Sequence, residues 1–589
     1  MRLQLRSFAA SIAAACSTLC LVIASTAYAQ SATVVRGATI FDSTGAQPVV
    51  ADVLIEDGRF AAIGTDLDQP DDAYIIDGQG LSLLPGLIDV HVHWTNAGGL
   101  NRADVATALI LHGVTTATDF HSPPESFAPK RAWEASVISP HVRYTARIGV
   151  PGGHGADWAD ENTTRVVSTP REGSAVINAL APFGPDVIKV FADGWRYGGG
   201  NEENSINTQT LTAIVDAAKE HDLPVLTHTV TVDGGKVAAK AGVTAIVHAI
   251  QDERTDGELV TLMHDNGVYY APTLAIYEPQ PERMEQLSAE DRQRTLARQE
   301  NSRFNLMQFS RAGIPVALGT DSGIGGARFG ESSVRELELL VQFGLDPEAA
   351  LIAGTANSAA VLGLKDDRGT IEIGKRADFV LVDGKPWQQI SDYRNIKLVV
   401  LDGKPVVKDG ELVAPQGDPL PAAFAAAALI DDFESSDGKT PGGVTRVADI
   451  DNGFPRSKMI TQAIPHPGNG KALSISAAMA LKDDPHAFVV LPLTLGSFAA
   501  ADVSAYQGVR FQARGEGKYT TGIQTETGSA SQEFEASLAW QPIVLKFEDF
   551  QQDDDEKQIS LDAAHSIKIG AEREPGETFW LEIDNVEFF

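Results

Sequence analysis

The stretch Gly86-Leu-Ile-Asp-Val-His-Val-His-Trp94 has the apolar texture of a buried strand, yet two imidazoles interrupt it two positions apart. Side chains on a strand alternate between faces, so His91 and His93 point the same way, with Asp89 behind them. Two neighbouring histidines on the inner face of a strand need something to hold, and the groups that share that task must come from elsewhere in the chain.

Downstream, strand-like runs alternate with helical ones. VTTATDF, VRYTARI, DVIKVFA, PVLTHT, VTAIVHA, GVYYAPTLAI and IPVALGTD follow LIDVHVH, separated by segments such as TLTAIVDAAKEHD and SVRELELLVQFG. Eight strands alternating with helices predict an α/β fold, a closed (β/α)₈ barrel over residues 86–363 with its site at the C-terminal strand ends. Short runs with Asp-Gly turns flank the barrel, ATVVRGATIFD to AYIIDGQG before it and GTIEIGKRADFVLVDGKP to VVKDGELV after it. Asp57-Gly58 and Asp77-Gly78 read as hairpin turns, and the two blocks, 30–85 and 364–413, as one composite β-sandwich domain. A Pro- and Ala-rich linker, 414–429, then leads to residues 430–589, where alternating runs such as GVRFQARG and PIVLKFEDF predict an all-β jelly roll.

Arg2 and Arg6, an apolar run and Ala27-Tyr28-Ala29 have the order of a secretory signal peptide spanning residues 1–29. Cys16 and Cys20 both fall inside it, so the mature protein would hold no disulfide and no thiolate ligand, and any metal must rest on His, Asp, Glu or a modified Lys. A periplasmic or secreted protein follows, with no membrane span. The formal net charge of -32 argues against nucleic acid as a partner.

The remaining strand ends answer the opening pair. Lys189 closes DVIKV, His228 closes PVLTH, His248 closes VTAIVH and Asp321 closes IPVALGTD. By parity each points toward the barrel mouth, so His91, His93, Lys189, His228, His248 and Asp321 converge on one small volume, which is the reading of a metal site.

With LPGLIDVHVH, the lysine of DVIKVFADG, the histidines of LTHT and IVHA, GTDSG and IEIGKRADFVLVDGKP, the segment from Ala32 to Val413 resembles the amidohydrolase superfamily of metal-dependent hydrolases, in its prolidase- and dipeptidase-like branch. The resemblance implies two divalent metal ions, usually Zn²⁺. His91, His93 and Asp321 would hold one and His228 and His248 the other. Lys189, carboxylated by CO₂, would bridge the two. An ammonium cannot ligate a cation, whereas a carbamate offers two oxygens and a negative charge. The reaction expected is hydrolysis of an amide C–N bond, in a peptide or N-acyl amino acid, by a hydroxide shared between the metals. Asp321 serves as general base, and His154, in PGGHG after the third strand, polarises the scissile carbonyl and contacts substrate. Arg196 and Tyr197, in ADGWRYGGG, are the candidate contacts for a substrate carboxylate, with a surface loop as the alternative reading.

Two other readings stand beside this one. A mononuclear cyclic-amide hydrolase, deaminase or lactonase of the same superfamily would use His91, His93, His228 and Asp321 without a carboxylated lysine. Alternatively the chain acts through its C-terminal module, which resembles the galactose-binding-like domain of complex I intermediate-associated proteins and would contact glycan or protein. Trp540 and Trp580 are its aromatic residues of interest, read as core packing.

Overall fold

The computed structural model of the chain describes residues 32–95, 100–155, 163–195, 197, 204–451, 455–468, 470–553 and 558–589. The expected signal peptide and Arg196 lie outside the described residues.

Five strands open the described chain: β1 (Thr33–Ile40), β2 (Val49–Glu56), β3 (Arg59–Gly64), β4 (Tyr74–Asp77) and β5 (Leu81–Pro85). The barrel strands follow: β6 (Leu87–Val92), β7 (Val114–Asp119), β8 (His141–Gly149), the short β9 (Thr164–Val166), β10 (Val187–Phe191), β11 (Val225–His228), β12 (Ala245–Val247) and β13 (Tyr269–Ala271). The chain then returns to the first domain with β14 (Phe379–Asp383), β15 (Ile396–Leu401), β16 (Lys404–Lys408) and β17 (Glu411–Leu412).

The two blocks join through one nine-stranded sheet, in which β5 pairs with both β1 and β14. Its own cluster of Val35, Val53, Phe60, Phe379, Leu381 and Val400 is buried. Asp57-Gly58 turns β2 into β3 and Asp402-Gly403 turns β15 into β16, each with positive φ at both positions, as tight hairpins demand. Asp77-Gly78 does not make a hairpin. β4 and β5 both run parallel to β1, one on each half, and a register shift in β1 between Val35 and Ala38 makes room for the jog between them.

Seven of the barrel strands form a continuous parallel sheet from β6 to β13. The expected eighth, around IPVALGTD, forms only isolated bridges, Tyr270 with Val316 and Val92 with Ser322. It still closes the ring. Ala317 N donates to Tyr270 O at 2.9 Å on one side, and Val90 N to Leu318 O at 2.9 Å on the other. Between these two bridges Asp321 takes a positive φ. The TLAI part of the seventh run is also not strand, since Leu274–Tyr277 is a helical turn. Helices between the strands start on side-chain caps, Thr169, Asn207, Thr231 and Asp256, each accepting a backbone N–H of the first turn. Their apolar faces and the strands share one large cluster that includes Leu109, Ile148, Ile214 and Phe309.

Residues 430–589 are all-β, in an eight-stranded and a six-stranded sheet around Ile475, Phe511, Ile567 and Ile583. The segment read as a linker is anchored to the barrel. Ile138 N donates to Gln416 Oε1 at 2.7 Å, Trp133 Nε1 to Asp418 O at 3.1 Å, and Phe424–Ala425 adds a short strand to the eight-stranded sheet. Trp540 and Trp580 are not in the core. Phe579 and Leu581 face inward, so strand alternation puts Trp580 outside, where Arg514 lies over both indoles at 5.7 and 6.0 Å.

Candidate metal centre

β6 delivers His91 and, one residue past its end, His93. The closing segment delivers Asp321, fixed by Asp321 N donating to His91 O at 2.8 Å and His93 N donating to Ser322 O at 2.7 Å. His91 Nε2 and His93 Nε2 stand 3.1 Å apart, at 3.2 and 3.0 Å from Asp321 Oδ1. Three ligand-type atoms crowded in this way are able to hold a cation. Asp89, fully buried behind them, ties the two segments together, accepting from His91 N, Thr320 N, Thr320 Oγ1 and Ser333 Oγ.

The other predicted residues surround this trio. The His248 ring centroid lies 4.9 Å from His91, His228 lies 4.2 Å from His248, and His154 lies 4.3 Å from His228. Lys189 is 2% exposed, its Nζ facing the rings of Phe120 and Phe191 at 4.9 and 5.9 Å. All six expected ligands, His154 and Tyr197 line one cavity of about 120 Å³. His121 is peripheral, with its ring 5.8 Å from His93.

The electrostatics of the cavity favour neutral bases. Burial, then the neighbouring Lys189, holds the His91 and His248 imidazoles well below their usual range, and burial with His248 does the same to His228. Neutral imidazole is the form that ligates a metal. Burial brings Lys189 down to about 7, with Asp321 opposing and Arg147 adding to the shift. Lys189 Nζ and Asp321 Oδ1 are buried without a hydrogen-bond partner. Buried polar atoms left this way carry a cost unless another group completes them. The residues present therefore fit divalent cations.

The backbone at the site is strained. His248, Thr273 and Asp321 have φ of 83°, 46° and 60°, a region that side-chain-bearing residues rarely occupy. Such strain concentrates where side-chain direction matters. Thr273 Oγ1 lies 3.0 Å from His248 Nδ1, which leaves Nε2 as the ring's free nitrogen.

Three residues went unread in the sequence. Arg147 is fully buried in the cavity wall, the cross-strand partner of Lys189, and its Nη1 donates to Phe120 O at 3.4 Å. It carried the same signal as Lys189, one cation inside an apolar strand. Tyr277 places its hydroxyl 3.3 Å from that of Tyr197. Arg298 lies over the Tyr197 ring at 5.5 Å. A second histidine–carboxylate group, His141 with Asp378 and Asp402, sits at the opposite end of the barrel, where β8 begins. Arg368, 3.7 Å from Asp378, and Arg376, bonded to Asp402, already neutralise its carboxylates, so it is an ion-pair network.

Comparison with known proteins agrees with this site. Residues 82–406 match the amidohydrolase family. Imidazolonepropionase of Geobacillus sp. (strain WCH70) is 24% identical over 428 residues, covering 61% of this chain and 91% of that protein. Enamidase of Eubacterium barkeri is 26% identical over 385 residues, with 62% and 91% covered. Among solved structures, a Xaa-Pro dipeptidase with methionine bound in its active site superposes with a TM-score of 0.55 at 24% identity, covering 64% of this chain and 99% of that one. A. niger ochratoxinase gives 0.55 at 21% identity, with 64% and 96% covered. These structural likenesses establish the fold, and the family match ends before the C-terminal sheets. The chain belongs to the amidohydrolase family, whose members among its relatives are hydrolases acting on carbon–nitrogen bonds.

Proposed function

We propose that this enzyme hydrolyses the amide bond of a dipeptide or N-acyl amino acid, outside the cytoplasm, with two divalent cations held by His91, His93, Asp321, His228, His248 and a carboxylated Lys189. The observation that carries the reading is the burial of Lys189 Nζ, with no hydrogen-bond partner, in the same small cavity as both histidine pairs. A single cation would need only His91, His93, His228 and Asp321, and would leave Lys189 without a role. Burial that brings the Lys189 amine down to about 7 leaves a substantial share of it as free base near neutrality, the form that adds to CO₂. The adjacent Arg147 repels an ammonium and attracts a carbamate, so carboxylation turns a costly pair into a favourable one.

Bound cations would polarise both the attacking water and the scissile carbonyl. The chain's own groups do the rest. Asp321 takes the proton of the attacking water and passes it to the leaving nitrogen. His154 donates a hydrogen bond to the carbonyl oxygen from the far side of His228, where negative charge grows in the transition state. Phe120 and Phe191 keep bulk water from the cavity floor. With a Xaa-Pro dipeptidase among the structural neighbours and an imidazolonepropionase and an enamidase among the relatives, a linear and a cyclic substrate are the two readings, and metal stoichiometry separates them. Two ions per chain, with turnover of dipeptides or N-acyl amino acids, supports the proposal. One ion, with turnover confined to ring compounds, replaces it with the mononuclear cyclic-amide reading. The screen is run on zinc-loaded full-length protein against dipeptides, N-acyl amino acids, lactones and cyclic amides.

A further inference from the structure

The metal cavity is too small for a whole substrate, and it opens past Tyr197, Asp321 and Ile324 into a groove of about 880 Å³. This groove is rich in arginine although the chain as a whole carries a net charge of -32. Two of its five arginines are paired at close range: Arg335 is held by Glu278 and Glu338, and Arg294 by Asp291. Arg298, on the helix Ala289–Arg311, is different. Among the described residues no carboxylate pairs with it. Among the described residues its guanidinium makes one long hydrogen bond, Nη2 to Thr295 Oγ1 at 3.4 Å, and its Nε is buried with no partner. Its guanidinium lies over Tyr197, whose hydroxyl meets that of Tyr277, and Tyr277 in turn lies edge-on to His248. A half-buried cation, two phenols and a metal-site histidine therefore form a continuous path from groove to cavity.

We infer that Arg298, backed by the Tyr197–Tyr277 pair, is the anchor for a substrate carboxylate, and that this anchor makes the enzyme selective for acyl compounds whose leaving group carries a free acid. The planar guanidinium fits a carboxylate through two N–H donors. The two phenols offer further donors along the path, and seating an anion there completes the orphaned guanidinium. The neutral carboxamide of the same substrate offers Arg298 no charge to pair with and is bound less well. The inference rests on the amide-hydrolase reading for its substrate class, but the anchor itself is a binding claim.

The test titrates zinc-loaded full-length protein calorimetrically with N-benzoylglycine and with N-benzoylglycinamide, for wild type, Arg298→Ala and Arg298→Lys. Wild type is expected to bind the acid more tightly than the amide. Arg298→Ala weakens the acid about tenfold or more, the range of a hydrogen bond to a charged group, and moves the amide less than twofold. Arg298→Lys restores part of the preference, a recovery that mere loss of structure does not give. Equal affinity of wild type for acid and amide, or an unchanged preference in Arg298→Ala, overturns the anchor. Arg298-dependent binding of the acid with no amide hydrolysed in the screen leaves the anchor standing and removes the proposed function. Hydrolysis with an indifferent Arg298 does the reverse.

Discussion

At the scale of single residues, burial holds the His91, His228 and His248 imidazoles toward their neutral form and lowers the Lys189 amine. Lys189 is the residue on which the number of metals turns. Lys189→Met removes the proposed bridging group and keeps the apolar bulk, and elemental analysis should find about one ion or fewer per chain where the proposal expects two in the wild type. Two ions retained in the variant would remove Lys189 from the ligand set. Asp321 has a different signature, since the proposal gives it two roles, metal ligand and general base. Asp321→Asn is expected to lower kcat by about 10²–10⁴-fold even when metal is supplied in excess, the range of a lost general base. Normal turnover with both ions bound contradicts that role. Every proposed ligand was legible in the sequence because strand alternation and strand ends are local signals. Arg147 was equally legible and passed over. Tyr277 and Arg298 were not, since each reaches the site through a fold-level approach of a helix to the barrel mouth that no spacing encodes.

At the scale of elements, the closing segment carries the greatest burden. Gly323 has φ of 97°, and a β-carbon there would stand 1.9 Å from His93 O, against backbone that cannot yield. Gly323→Ala should therefore displace either the His93 carbonyl or the Asp321 turn. Metal content after dialysis should fall together with melting temperature, while a variant at the open Gly326 of the same loop should lose less of its metal. The sequence predicted a full eighth strand here, whereas the segment forms only isolated bridges; chain alternation says nothing about the positive φ at Asp321 that lies between them. Helix Phe127–Glu134 makes a separate prediction. Burial raises Glu134 from 4.5 to about 8, against the opposing hydrogen bond from Tyr144. Between those values the folded state keeps a proton that the unfolded chain has lost, so stability falls as pH rises from about 4.5 and levels off above about 8. Denaturation from pH 5 to 9 should show wild type losing ground to Glu134→Gln as pH rises; parallel curves would mean that Glu134 is ionised throughout.

At the scale of the molecule, the C-terminal sheets are tied to the rim of the site. Phe498, 2% exposed, belongs to the barrel's own core cluster and meets Trp133 edge to face at 6.0 Å, with Arg102 and Lys130 over its ring at 4.9 and 5.7 Å. Arg102 also lies 3.6 Å from Glu526, and Thr445 Oγ1 donates to Glu125 at 3.2 Å in the loop that follows β7. That loop starts beside His121, and Asp119 at its root accepts from Trp94 N, next to His93. A detachable binding module would leave the barrel surface polar beneath it, whereas this one leaves an aromatic socket and two cations that Phe498 covers. Removing 430–589 should therefore expose Trp133 and cost solubility as well as any binding function. The sharper test keeps the chain whole. Phe498→Ala empties the socket at a cost of about 3 kcal/mol, in the range for burying and then deleting a phenyl ring. Calorimetry should show one cooperative transition in the wild type and two in the variant, the barrel melting at lower temperature than the sandwich or the reverse. If both proteins give the same two transitions, and the barrel remains soluble and equally active without residues 430–589, the C-terminal sheets are a separable unit carried by the enzyme and not a part of its wall.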